Sequence, residues 1–178
     1  MTRTILFAAA SAAILSACAS QMPAAPTPPV ADAIRVPAGN KMTMQTVGSG
    51  QLLYECRLKA NTTADHEWAF VGPTAVLKDR SGAMVGKYYG PPATWESSDG
   101  SKVTATQVAV APGGDGNIPH QLVKANPAQG SGSMNGVTYI QRVATRGGVA
   151  PAMPCSSANA GAKQTVGYQA DYLFWKAS

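Results

Sequence analysis

The sequence predicts an all-β domain: an antiparallel β-sandwich or flattened barrel of short strands, with one disulfide and little helix outside a signal peptide. Three observations carry this. Apolar and polar residues alternate with period two in run after run, as they do on strands with one buried face. Turn formers are plentiful, with 18 Gly and 13 Pro, while charged residues are only 13% of the chain. After the amino-terminal segment no long stretch repeats at the 3.6-residue helical period.

The chain opens with Arg3 and an apolar run, Ile5 to Leu15, too short to span a bilayer and of signal-core length. Leu15-Ser16-Ala17-Cys18 follows, and this layout resembles a bacterial lipoprotein signal. The resemblance implies cleavage before Cys18 and acylation of its thiol, so residues 1–17 are expected to be removed. Residues 18–38 then read as a lipidated cysteine and a Pro/Ala-rich tether, since Pro23, Pro26, Pro28, Pro29 and Pro37 lie among alanines with no periodic apolar face. Polyproline geometry at about 3.1 Å per residue would hold a domain well clear of a membrane. Residues 39–178 form the expected single β-rich domain.

Within it, Leu52, Tyr54, Cys56 and Leu58 share one strand face, with Glu55 and Arg57 opposite. Trp68 and Phe70 alternate with Glu67 and Ala69. Val103, Ala105 and Ala109 are expected on one face of the next run, and Val137–Thr145 is β-branched and aromatic-rich. The last run is the clearest, with Val166, Tyr168, Ala170, Tyr172 and Phe174 against Gln169, Asp171 and Trp175. Turns are marked at Asp79-Arg80-Ser81-Gly82, Pro91-Pro92, Asp99-Gly100, Pro112-Gly113-Gly114 and Asn135-Gly136.

Of three cysteines, Cys18 is assigned to lipid, which leaves Cys56 and Cys155 as an even pair in an oxidising compartment. No CxxC spacing suggests a metal or redox site. A Cys56–Cys155 bridge would close a long loop, worth up to roughly 4.7 kcal/mol by chain entropy. It is expected to pin the irregular Pro151–Pro154 segment to the sheet.

Net charge is +5. Acids and bases cancel over residues 18–118, but residues 119–178 carry Lys124, Arg142, Arg146, Lys163 and Lys176 against Asp171 alone. That density falls short of a nucleic-acid surface and fits an envelope polymer or protein partner, beside the membrane itself through acylated Cys18.

Several segments together resemble the family of secreted bacterial and fungal proteins classed as domain of unknown function 3455. The carriers are Tyr54-Glu55-Cys56, Trp68 with Gly72-Pro73, Gly90-Pro91 leading to Trp95, and Asp99-Gly100-Ser101. Ile118-Pro119, Tyr139-Ile140-Gln141-Arg142, Gly147-Gly148, Pro151 with Cys155, and Tyr168 to Phe174 complete the set. The resemblance spans almost all of the expected domain and implies a secreted β-domain without an assigned reaction. Fungal members often carry a malate dehydrogenase label. This chain offers it no support, because Gly130-Ser131-Gly132-Ser133 lacks the third glycine of a dinucleotide loop and runs into a strand. Members usually carry tryptophan after Ile-Pro, where this chain has His120.

The remaining candidates are few. His120, with Asp115 as a conceivable orienter, is the minimum for general-base chemistry, though no Gly-x-Ser-x-Gly elbow supplies a nucleophile. Two distant histidines make no metal motif, and no cofactor is implied. Arg142 shares a face with Ile140 and has Asp171 or Glu55 as candidate partners, or else a ligand carboxylate or phosphate. Gln141 is expected as a buried amide. Trp95 and Tyr89 read as loop aromatics able to stack on a sugar or grip a partner.

The expected function is therefore a lipid-anchored envelope module that binds or braces, facing periplasm or surface from the outer membrane. One alternative is an envelope hydrolase using His120 and Asp115. Another is a lysozyme-inhibitor-like binding protein, since Tyr172-Leu173-Phe174-Trp175-Lys176 is superficially similar to the aromatic endings of membrane-bound lysozyme inhibitors.

Overall fold

A computed structural model describes residues 30–178; the signal segment, Cys18 and the first part of the tether lie outside the described residues. Eight strands follow one another around a closed barrel. They are β1 (Asn40–Leu58), β2 (His66–Lys78), β3 (Met84–Tyr89), β4 (Thr94–Ser97), β5 (Lys102–Ala111), β6 (His120–Ala125), β7 (Val137–Gly147) and β8 (Lys163–Ala177). Each pairs antiparallel with the next, and β8 closes on β1. Closure pairs the two terminal strands with each other, so neither is left as a sheet edge.

The expected all-β class resolves to a barrel, and three strands are longer than the short runs read from sequence. β1 is 19 residues because Gly48 and Gly50 lie inside it rather than ending it. A side chain at Gly48 would meet the Tyr172 ring at 2.4 Å, and one at Gly50 the Thr74 carbonyl at 2.1 Å. These glycines let large rings and the neighbouring strand approach closely.

An eight-stranded interior is about wide enough for side chains to fill. Here Trp95, Tyr172, Phe174, Leu77 and Ile140 fill much of it. Tyr88 stacks on Trp95 at 4.5 Å between centroids, and Tyr172 meets both rings at 5.1 and 5.9 Å. Each such buried side chain contributes about 1.5–3 kcal/mol relative to exposure. Trp95 is thus a core residue on β4, not a loop aromatic, and the Tyr172 and Phe174 of the aromatic ending also face inward. Four residues of β4 are too few to display alternation between Pro91-Pro92 and Asp99-Gly100.

A second cluster lies on the outside of the wall, where Ile34 packs on Ala111 and Leu122 with Val30 and Val36 beside it. A 3-10 turn at Asp32–Ile34 places Ile34, fully buried. The segment assigned to the tether by composition therefore contributes to the folded unit from Val30 onwards. A bulge in β5 between Gln107 and Ala109 has a matching effect. It turns Ala109 to the outer cluster while Val103 stays inside, so the face expected for both is split.

The disulfide joins Cys56 on β1 to Cys155 in the β7–β8 connection, with Cα atoms 5.5 Å apart and a separation of 99 residues. Trp68 Nε1 donates to the Met153 carbonyl at 2.8 Å, adding a second fastening for the same loop.

Candidate functional site

One end of the barrel is notched. β3 ends at Tyr89 opposite Thr74, so β2 from His66 to Pro73 runs on with β1 as its paired neighbour. On the other side β4 reaches β5 only at Thr104, and Ala105–Ala111 continue paired with β6. Between those extensions the wall is bridged by the Gly90–Ala93 turn, whose Gly90 carbonyl lies so close to Gly72 that a Cβ there would meet it at 2.5 Å.

Inward-facing residues emerge beside this notch. Phe70 stands opposite inward-facing Tyr54, its ring edge-on at 5.8 Å, yet it is 53% exposed. Val110, beyond the β5 bulge, is 46% exposed. It begins a row of cross-strand partners on the inner face: Val110, Gln121, Arg142, Tyr172 and Thr46.

Arg142 shares the inner face with Ile140, as the alternation predicts, and is half-buried. Neither expected carboxylate partner receives it. Its Nε and Nη2 donate to the Pro119 carbonyl at 3.2 and 2.9 Å. Asp171 instead accepts from Gln45 on the outside of the barrel, and Glu55 from Arg57. The inner and outer faces of β7, β8 and β1 separate these groups.

The phenols that feel the Arg142 charge are held neutral. Burial raises the pKa of Tyr54, Tyr88, Tyr168 and Tyr172, and the Arg142 charge opposes that rise in each. Tyr54 donates to the Gly148 carbonyl at 2.8 Å, and the Tyr168 and Tyr172 hydroxyls share a hydrogen bond at 3.1 Å.

The other candidates lie elsewhere. Gln141 is buried as expected, but under the amino-terminal segment on the outer face. It donates to the Ile34 carbonyl at 2.7 Å and accepts from Trp175 Nε1 at 2.9 Å, so both ends of the amide are occupied structurally. Tyr89 lines an outer groove of ≈ 720 Å³, where its hydroxyl donates to Glu96 at 2.7 Å and Lys87 approaches the same carboxylate at 3.6 Å.

His120 opens β6 opposite Ala111, on the outer face. Burial lowers its pKa, and the Arg142 charge lowers it further. Among the described residues no hydrogen bond or ion pair joins it to Asp115, which is exposed in the preceding turn. The expected dyad is not formed, because the Gly113–Gly116 turn carries Asp115 into solvent. Nor do the described residues contain a cluster of three or more metal-ligating side chains.

The model of a family described as a protein of unknown function, DUF3455, matches residues 37–176. The chain belongs to this family. No curated protein and no solved structure matches it. The DUF3455 match therefore covers the barrel up to, but not including, the last residue of β8, and takes in every residue of the notched end.

Arg142 lies on the face of Ile140, as the alternation predicts, whereas no pattern in the sequence singles out Phe70 and Val110. Their signal lies in the mismatch between inward register and exposure, which depends on how far β3 and β4 extend.

Proposed function

We propose that this DUF3455 protein is a lipid-anchored binding module of the bacterial cell envelope, tethered through acylated Cys18 to the outer membrane. The Leu15–Cys18 signal and the proline-rich segment after it support the anchor. Two attached acyl chains would hold it stably, where one would not. The observation that carries the binding role is the notched end, where inward-facing Phe70, Val110 and Arg142 remain open instead of being packed away. A site with a cation, neutral phenols and apolar lips recognises a ligand; it holds no paired nucleophile and base to transform one.

Two measurements test this. Mass spectrometry of the mature protein from outer-membrane fractions should find a diacylglyceryl-modified Cys18; an unmodified terminus sinks the anchor. Native mass spectrometry of the purified protein should show a retained small ligand that Phe70→Ala releases. Identical ligand-free masses for both proteins would count against the binding role.

A further inference from the structure

We propose that the notched end binds an organic anion, a carboxylate or phosphate on an apolar ring or chain, with Arg142 holding the head and Phe70 and Val110 the body. This rests on the binding-module reading and names the class of its ligand.

Ion pairs among the described residues join Arg35 to Asp32, Arg57 to Glu55 and Lys87 to Glu96, and none includes Arg142. Its protein acceptor is one backbone carbonyl, which orients the guanidinium without neutralising it. Nη1 makes no hydrogen bond among the described residues. The inner-face row running from Val110 to Thr46 contains no carboxylate at all. A half-buried guanidinium gains most from a partner that brings a negative charge, and its planar fork matches the two oxygens of a carboxylate or phosphate.

Phe70 and Val110 turn toward the interior by register, yet about half of each remains exposed, so the barrel leaves an apolar surface uncovered on its inner side. Tyr54 connects the two features. Its ring meets Phe70 edge-on, and its hydroxyl is fixed on the Gly148 carbonyl on the side where the Arg142 charge is felt. A ligand spanning from guanidinium to Phe70 would exclude water from both, strengthening the ion pair in a lower dielectric.

Calorimetric titration of the full chain with benzoate, phenyl phosphate and benzyl alcohol tests the proposal. At least one anion should bind about tenfold or more tightly than benzyl alcohol, and the tighter anion identifies the head group. Arg142→Gln should weaken anion binding by about tenfold or more, with Arg142→Lys intermediate because charge is kept and the fork lost. Phe70→Ala, at an exposed position, should fold normally and still weaken binding severalfold, which keeps the test decisive if Arg142→Gln does not fold. Neither anion binding more tightly than benzyl alcohol, no binding of any probe, or wild-type affinity in Phe70→Ala overturns the proposal. A retained but uncharged ligand in native mass spectrometry would leave the binding-module reading standing and remove this one.

Discussion

The Gln141 side chain donates to the Ile34 carbonyl at 2.7 Å, fastening the segment before β1 onto the outer wall. The same amide accepts from Trp175, so one residue joins three parts of the chain: the incoming segment, β7 and β8.

Gln141→Leu should therefore destabilise the fold by about 1–3 kcal/mol, because it strands a buried carbonyl and an indole N–H. Urea denaturation gives the size of the effect. Limited proteolysis should show cleavage near residues 30–38 appearing before global unfolding. A variant as resistant as wild type there would refute the fastening role.

Thr46 offers the opposite outcome. The residue is 1% exposed and its hydroxyl has no partner among the described residues, like the indole N–H of Trp95. Thr46→Val keeps the shape and removes the unpaired group, so it should raise stability by about 1 kcal/mol. A measurable loss in thermal denaturation would mean that the hydroxyl is satisfied in solution.

Asp99 ties two loops at the end of the barrel opposite the notch. It accepts from Ser101 and Ser133 side chains and backbone, which together hold its carboxyl well below the usual range. A depressed folded pKa means stability that is full above the unfolded value of about 3.9 and lost as pH falls further. Thermal midpoints should drop below about pH 4, and Asp99→Asn should flatten that drop. Gly132→Ala should lower stability at every pH, since its Cβ would meet the Asp99 carboxyl at 2.4 Å.

Removing the bridge with Cys56→Ala and Cys155→Ala together should cost about 4 kcal/mol, from the long loop it closes. Chemical denaturation with and without reductant checks this: wild type should fall to the variant's level when reduced. No difference between them would assign the stabilisation to the Trp68–Met153 contact and the β1–β8 ladder instead.

Parts of this architecture were legible in sequence. The β8 alternation from Tyr168 to Phe174 and the shared face of Ile140 and Arg142 are local patterns, and the chain obeys them. The Cys56–Cys155 pair followed from compartment and count. Trp95 was misread because a four-residue strand between turn signals carries no period. Ile34 was missed because a single apolar residue among prolines gives no hint of a docking place on another strand's outer face. The split of Val103 from Ala109 depends on a bulge, and the notch depends on where β3 and β4 stop; both are relations between strands.

The proposed ligand meets the protein at the notched end. Backbone amide NMR during titration with benzoate or phenyl phosphate tests it most directly. The account predicts saturable shifts centred on Phe70, Val110, Gln121 and Arg142. Shifts confined to the outer groove at Tyr89 and Glu96, or none at saturating anion, would contradict it.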